Sequence, residues 1–263
     1  MKNLIKRVLK ALEKYNMIRS GDSICVFVSG GKDSLVLLYL LSKIKRFYHK
    51  NFSIIAITLD MCFNNTFQDY SEIKKFCENL GVPYYVKRSP LWEIIFVKRK
   101  EKSPCSLCSK MRKGILINEA LNLGCNKLAL GHHKDDAVET LLLNLFYNGN
   151  FKCFSPITYL SRKKVTMIRP LFFCNELSVN NFAKKISLPI LKNKCPADGI
   201  TKRQKIKELL NMLESEIHTD VKKALFNSIL NSENGGLYCS HKQITSSLDV
   251  KNKNSDLDNA KNT

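Results

Sequence analysis

Short apolar runs alternate with longer amphipathic segments along the first two thirds of the chain. The runs are rich in β-branched and aromatic residues, which is typical of strands buried on both faces of a sheet. They predict strands at 24–28, 52–59, 82–87 and 127–133. Apolar positions at helical spacing predict helices at 35–47, 67–80, 109–123 and 135–146, with a basic, mostly helical connector at 91–102. Because strands and helices alternate, we expect a parallel sheet with right-handed crossovers.

The two ends of the chain predict additions to this α/β core. A lysine-rich helix with one apolar stripe is expected at 2–18, a β-hairpin at 157–160 and 165–168, and helices at 176–186, 202–216 and 221–230. The Asn-, Lys-, Ser- and Asp-rich remainder predicts disorder. The expected organisation is an N-terminal helix at 1–20, an α/β domain at 21–215, a C-terminal helix at 216–233 and a disordered tail at 234–263.

One loop between a predicted strand and a predicted helix has the composition of a phosphate-binding site. It consists of Ser29, Gly30, Gly31, Lys32, Asp33 and Ser34. Glycines let the backbone turn sharply close to an anion, and N–H groups at a helix start form a positive concavity. Lys32 adds a full charge. The spacing matches neither the Walker P-loop nor Gly-x-Gly-x-x-Gly, and an ordinary glycine turn is the alternative.

Polar residues end two predicted strands, where ligands bind in open α/β sheets. Asp60 is placed to meet the nucleoside part of a nucleotide, or else it caps the next turn. Gly131 allows a ligand to approach closely. Two histidines and three acids follow it, namely His132, His133, Asp135, Asp136 and Glu139. The acids either start the next helix, with Asp135 as its N-cap, or serve a Mg²⁺–phosphate or acid–base site.

The cysteines predict metal or redox chemistry rather than disulfides. The N-terminus is a charged amphipathic helix without a signal-peptide core, and no apolar run approaches the roughly 18 residues of a membrane span. We therefore expect a cytoplasmic protein with reduced thiols and no membrane partner. Among ten cysteines, Cys105 and Cys108 form a Cys-x-x-Cys pair before a predicted helix. Alone, the pair fits a zinc half-site, a redox pair, an iron–sulfur half-site or chance.

The charge of the chain predicts a polyanionic partner. The formal net charge is +20, and the tail from Asn234 onward holds four lysines and three aspartates, leaving +19 on residues 1–233. Nucleic acid is the first candidate, although a generally lysine-rich composition is the alternative. Candidate phosphate contacts are Lys98, Arg99, Lys202 and Arg203.

Four segments, taken in order, resemble one family of nucleotide-dependent enzymes. They are 29–34, 105–116, 131–140 and 168–171, and the similarity spans about residues 20–215. The chain resembles the TtcA-like tRNA 2-thiocytidine synthetases, which belong to the PP-loop N-type ATP pyrophosphatases. The resemblance implies a Rossmann-like, parallel-sheet PP-loop domain of the adenine nucleotide alpha hydrolase-like class with a helical C-terminal part. It also implies ATP-dependent thiolation of a tRNA cytidine, at position 32 of the anticodon loop.

The resemblance assigns roles to individual residues. The loop residues 29–34, Asp60 and Gly131 would bind ATP, while Asp33 and Asp135 or Asp136 would place Mg²⁺. Arg112 would stabilise developing charge, so the implied catalytic residues are Asp33, Arg112 and Asp135. The implied ligands of a [4Fe–4S] cluster are Cys105, Cys108 and Cys195, and the other seven cysteines are expected to be structural.

The match is weakest around the third cysteine. Family members commonly show Pro-Cys-x-x-Cys-Gly there, whereas this chain has Lys-Cys-Pro-Ala-Asp-Gly at 194–199. That departure leaves open a paralogue with another target nucleotide. The resemblance further implies a sulfur donor, either a cysteine desulfurase or sulfide, and a homodimer. A lysidine-type tRNA synthetase, a small-molecule amidating ligase and a pure RNA-binding protein remain as alternatives.

Overall fold

The computed structural model describes residues 2–99, 104–192, 194–195 and 201–232. The chain divides into two compact units, Met1–Glu208 and Leu209–Thr263. The first unit contains a six-stranded sheet. Its strands are β1 Asp22–Phe27, β2 Phe52–Asp60, β3 Tyr84–Arg88, β4 Lys127–Ala129, β5 Ile157–Leu160 and β6 Val165–Ile168.

The sheet has the strand order β3-β2-β1-β4-β6-β5. The first four neighbouring pairs are parallel, and β5 joins β6 as an antiparallel edge hairpin. The predicted parallel sheet and the predicted hairpin are therefore confirmed. Since β1 lies in the middle of the sheet and leads directly to the loop at 29–34, that loop opens at the centre of one sheet edge.

Eight α-helices are described. They are α1 Lys2–Lys14, α2 Lys32–Ile44, α3 Ser71–Asn79, α4 Pro104–Asn122, α5 Lys134–Asn148, α6 Glu176–Lys185, α7 Lys202–Ile217 and α8 Val221–Ser232. Short 3-10 turns occupy Phe63–Asn65 and Ser161–Lys163, and Glu93–Lys98 is π-helical. Helix α7 passes from the first unit into the second, and α8 belongs to the second.

Two apolar clusters cover the two faces of the sheet. Ile24 and Val26 of β1 pack in the cluster that contains buried residues of α1, α2, α3 and α6. Cys25, between them in sequence, packs in the second cluster with buried residues of α4. Successive strand residues point to opposite faces, so this alternation requires helices on both sides. The result is a doubly wound sheet, as the sequence predicts.

Two predicted helix starts are wrong. The helix expected from residue 67 begins at Ser71, because the Asp60 carboxylate accepts hydrogen bonds from the N–H groups of Cys62 (3.0 Å) and Gln68 (3.2 Å) and holds the intervening chain as a loop. The helix expected from residue 109 begins at Pro104, a residue well suited to the first helical position. Cys105 and Cys108 thus lie within the first turns of α4, rather than before them.

Two other expectations concern the ends and the membrane. The tail predicted at 234–263 lies outside the described residues. Every helix in the described part of the chain is too short or too polar to cross a bilayer.

Candidate active site

The loop between β1 and α2 is closed by its own hydroxyl groups. The Ser34 hydroxyl donates to the Gly31 carbonyl (2.9 Å) and accepts from the Ser29 N–H (3.1 Å), while Gly31 N–H donates to the Ser29 hydroxyl (3.3 Å). Gly30 adopts φ +83°, a conformation that side chains disfavour. Gly31 is the N-cap of α2 and has no side chain with which to cap it. The first N–H groups of α2 can therefore face an anion.

Gly131 makes room for this loop, and its predicted role in admitting a ligand stays a prediction. An ideal Cβ at Gly131 would lie 3.0 Å from the carbonyl carbon of Asp33 and from the nitrogen of Ser34. The neighbour that approaches Gly131 is thus the first turn of α2. Gly131 still borders the predicted ATP site, but it acts by letting α2 start against the end of β4.

We expect Gly131→Ala to lower the free energy of unfolding by about 1–3 kcal/mol, because backbone must move to admit the methyl group. The same movement shifts the start of α2, so ATP affinity should fall as well. Chemical denaturation and equilibrium dialysis measure the two effects. Gly114→Ala is the matched control: it lies in α4 with no heavy atom within 4 Å of the added carbon, and it should stabilise by up to about 1 kcal/mol. A Gly131→Ala protein as stable as the wild type would contradict the close packing.

Lys32 already has two acidic partners. Its Nζ atom lies 3.2 Å from Asp33 Oδ1 and 3.2 Å from Glu176 Oε1. Burial by itself lowers the pKa of Lys32, but the carboxylates of Asp33 and Glu176 outweigh it and raise the pKa. Asp33 Oδ1 is buried and makes no hydrogen bond within the described residues, so its only close polar partner there is the Lys32 ammonium at 3.2 Å, with His133 Nε2 at 3.8 Å. An unsatisfied carboxylate oxygen at a phosphate site suits Mg²⁺, which prefers oxygen ligands.

The helix after β4 starts differently from the prediction. His133, not Asp135, is the N-cap of α5, and it forms a capping box with Asp136: His133 N–H donates to Asp136 Oδ2 (2.9 Å), and Asp136 N–H donates to His133 Nδ1 (3.4 Å). Asp135 is buried and its Oδ2 accepts from the N–H of Glu176 (2.7 Å). The residue expected to be catalytic therefore holds the start of α6, and the catalytic role of Asp135 stays a prediction.

A buried carboxylate on α5 binds the start of α7. Glu139 is 2% exposed and pairs with Arg203 (2.8 Å) and Lys207 (3.6 Å). Burial raises the pKa of Glu139 in spite of these two cations. Arg203 was expected to contact tRNA phosphates, but its guanidinium is engaged here, and it also approaches Asp136 Oδ1 at 3.5 Å. The sequence did not connect Glu139 with α7.

The other predicted tRNA residues lie at the surface. Lys98 pairs with Glu93 (3.0 Å), and Lys202 lies over the ring of Tyr147, 4.3 Å from its centroid. Arg99 is exposed. Each can still present charge to a polyanion, so these contacts stay predictions.

A single cavity of about 410 Å³ joins the loop to the predicted cluster ligands. Its walls include Ser29 and Gly31 of the loop, Asp60 at the end of β2, Arg112 of α4, and the three cysteines Cys105, Cys108 and Cys195. Within the described ranges, no three Cys, His, Asp or Glu side chains converge closely enough to hold one metal ion. Three thiols on one cavity are nevertheless the donor type that iron–sulfur clusters require. Burial raises the pKa of Cys108, and Arg112 opposes that rise.

Comparison with known proteins agrees with this arrangement. A family model described as a PP-loop domain matches residues 1–213. A tRNA-cytidine(32) 2-sulfurtransferase of Pelobacter propionicus is 40% identical over 224 residues, which cover 83% of this chain and 82% of the relative. One from Bdellovibrio bacteriovorus is 39% identical over 213 residues, covering 81% and 82%. The chain belongs to the PP-loop family of tRNA-cytidine 2-sulfurtransferases.

A solved PP-loop structure supports the same fold. The U34-tRNA thiolase NcsA from Methanococcus maripaludis, solved with its [4Fe-4S] cluster, superimposes with a TM-score of 0.69 at 25% identity. The similarity covers 86% of this chain and 76% of that chain. The family resemblance drawn from the four sequence segments is confirmed, as is the PP-loop fold.

Several residues around the PP-loop escaped the sequence analysis. Leu191 N–H donates to the Gly30 carbonyl (3.0 Å), so the chain leading to Cys195 lies against the PP-loop. Buried Arg169 donates from Nε to His132 Nδ1 (3.3 Å). Burial, with the nearby charge of Arg169, lowers the pKa of His132 to about 4. Arg169 stood in a recognised motif, but only its position beside His132 gives it this role.

Proposed function

We propose that this protein is an ATP-dependent tRNA sulfurtransferase that replaces the 2-oxygen of cytidine 32 in the anticodon loop with sulfur. The observation that carries the proposal is the cavity shared by the PP-loop and the three cysteines, since it brings an activating site and a thiol site together. The names of the relatives supply the target nucleotide. The local sequence departure at 196–199 lies outside the described residues.

The PP-loop performs the activating step. N–H groups at the start of α2 and the Lys32 ammonium would bind the β- and γ-phosphates, and Asp33 Oδ1 would bind Mg²⁺. The cytidine 2-oxygen attacks the α-phosphorus of ATP; this O–P bond forms while the bond to the β-phosphate oxygen breaks, and pyrophosphate leaves. Lys32 would neutralise the charge that develops on pyrophosphate, and Mg²⁺ held by Asp33 would supply further positive charge there. The base then carries an adenylated oxygen.

The second step exchanges that oxygen for sulfur. Hydrosulfide attacks C2 of the cytidine, the C2–O bond breaks to release AMP, and loss of the sulfur's proton leaves the C2=S bond. Sulfur that arrives as a persulfide would first need a two-electron reductant. Arg112 lines the cavity beside the thiols and would stabilise negative charge during this exchange. Cys105, Cys108 and Cys195 would hold a [4Fe–4S] cluster, which supplies an iron site for sulfur when bound. Asp60 shapes the wall of the cavity through its two backbone hydrogen bonds.

The partners follow from this chemistry. Binding of tRNA to this basic domain would use exposed cations such as Lys98, Arg99 and Lys202. Arg203 would contribute less, because it is already paired with acidic side chains. Sulfur would come from a cysteine desulfurase or from sulfide. The protein would work in the cytoplasm, where tRNA is modified, and as a homodimer.

The test is a reconstituted thiolation assay under anaerobic conditions. The purified protein should show a broad absorption near roughly 400 nm from its iron–sulfur centre. With ATP, Mg²⁺, sulfide and unmodified tRNA it should form 2-thiocytidine, detected by mass spectrometry, together with AMP and pyrophosphate. A colourless protein that releases pyrophosphate only with a small carboxylic acid would be an amidating ligase. Incorporation of lysine into tRNA would indicate a lysidine-type synthetase, and either result overturns the proposal.

A further inference from the structure

Eight side chains form a closed ring of polar contacts beside the PP-loop, of which six are ion pairs and two run through His133, whose Nδ1 accepts the N–H of Asp136. In order they are Lys32, Glu176, Lys207, Glu139, Arg203, Asp136, His133 and Asp33, which returns to Lys32. The contacts range from 2.8 Å between Arg203 and Glu139 to 3.8 Å between His133 and Asp33. We call this set the charge ring. It uses acids and bases that the proposed reaction leaves without a role, including Glu139, Glu176 and Lys207.

The charge ring fastens the first turns of α7 to the nucleotide site. Arg203 and Lys207 stand one helical turn apart on α7, so both reach the same side. Arg203 binds Glu139 of α5, and Lys207 binds both Glu139 and Glu176. Glu176, at the start of α6, in turn binds Lys32 of the PP-loop. One carboxylate therefore bridges the PP-loop cation and an α7 cation.

The described chain on either side of Cys195 contacts the surroundings of the PP-loop, while residues 196–200 lie outside the described part. On its N-terminal side, Leu191 N–H binds the Gly30 carbonyl, and the Leu191 side chain lies 3.2 Å from the Cβ position of Gly30. On its C-terminal side, Arg203 and Lys207 belong to the charge ring. Cys195 also borders the same cavity as Ser29 and Gly31.

Phosphate binding at Lys32 would change the contacts of Glu176 in the charge ring. Lys207 and Lys32 outweigh burial and hold the pKa of Glu176 below its usual value. A polyphosphate at the PP-loop brings several negative charges to Lys32 and competes with Glu176 for it. Lys207 then becomes the main partner of Glu176, and the contact between α6 and α7 tightens. These groups are half-buried, so solvent screens them only in part.

We propose that Glu176 is a positioning residue that couples polyphosphate binding at Lys32 to the hold on α7. The inference rests on the proposed function, because it assumes that Lys32 binds the phosphates of ATP. It goes further in giving the ATP site control over how firmly α7 is held.

Hydrogen exchange tests the coupling on the full-length, anaerobically purified protein. Peptides covering 201–208 are followed by mass spectrometry with and without Mg²⁺ and pyrophosphate or a non-hydrolysable ATP analogue. In the wild type the ligand should slow exchange there about tenfold, a value within the usual range of coupling between sites. Glu176→Gln should remove most of this slowing. Lys207→Met should do the same, whereas the exposed Lys205→Met and Glu208→Gln should behave as wild type.

Affinity provides a second readout that loss of structure would not mimic. Glu176→Gln frees Lys32 from a competitor, so the ATP analogue should bind several-fold more tightly; a damaged fold would bind it more weakly. The substitution leaves Lys32 with Asp33 and Lys207 with Glu139, so neither cation is stranded. If Glu176→Gln binds the ligand and keeps the full tenfold slowing, the coupling does not run through this residue. If the wild-type protein binds the ligand and hydrogen exchange at 201–208 is not slowed, the proposed coupling is contradicted as well. Wild-type protein that binds neither pyrophosphate nor ATP overturns the proposed function, and this inference with it.

Discussion

Replacing Lys32 with alanine should reduce tRNA-dependent AMP formation by about 10²–10³-fold, the usual cost of removing one preorganised group that stabilises transition-state charge. The loss should appear mainly in kcat, because the charge on the departing pyrophosphate grows as the α–β phosphate bond breaks. The N–H groups at the start of α2 remain, so ATP should still bind. Steady-state rates of AMP and pyrophosphate release over a range of ATP concentrations distinguish an effect on kcat from an effect on the KM for ATP.

Stability must be measured alongside activity for Lys32→Ala. Glu176 keeps Lys207 at 3.2 Å when Lys32 is removed, so only Asp33 loses its cation. Thermal unfolding should therefore change little. Lys43→Ala is a suitable control, since Lys43 is in the last turn of the same helix and lies over the Tyr39 ring. Full AMP formation by Lys32→Ala would rule out the assignment of this loop to ATP.

The parts of the site that could be predicted from the sequence are those set by local pattern and strand direction. Parallel strands share one carboxyl edge, so the loop after β1, Asp60 after β2 and Gly131 after β4 had to lie near one another. The Cys-x-x-Cys pair was recognisable from its spacing. The helix that carries it was placed too late, because Pro104 was not taken as a helix start. Local chemistry thus located the elements to within a few residues.

The partners of the acids could not be predicted, because they depend on how distant helices pack. An acid near a helix start looks the same whether it caps that helix, binds Mg²⁺ or holds another element. Asp135 binds the N–H of Glu176, 41 positions away, and Glu139 binds Arg203, 64 positions away. Gly131 raised the same difficulty, since the close neighbour it admits is the backbone of α2. Only the packed structure distinguishes these cases.

Replacing Cys108 with serine should separate the two halves of the reaction. Thiolation should fall by about 100-fold or more. Removing a residue that only hydrogen-bonds to a metal ligand already lowers metal affinity or activity by up to about that factor, and Cys108 is itself a predicted ligand. The absorption near roughly 400 nm should be lost, because a serine oxygen is a poor substitute for a soft thiolate. The PP-loop is untouched, so ATP binding and tRNA-dependent pyrophosphate release should persist. Absorption spectra, product analysis and pyrophosphate release are measured on the same preparation.

Cys62→Ser is the matched control for Cys108→Ser. Like Cys108, Cys62 is a partly exposed thiol, but it is outside the predicted ligand set. Its Sγ atom lies 3.9 Å from the Asp60 carbonyl oxygen. It should retain colour and thiolation. Unchanged thiolation by Cys108→Ser would remove this cysteine from the sulfur-transfer site. If Cys108→Ser also abolished pyrophosphate release, the thiol side of the cavity would be needed for the ATP-dependent activation as well as for sulfur transfer.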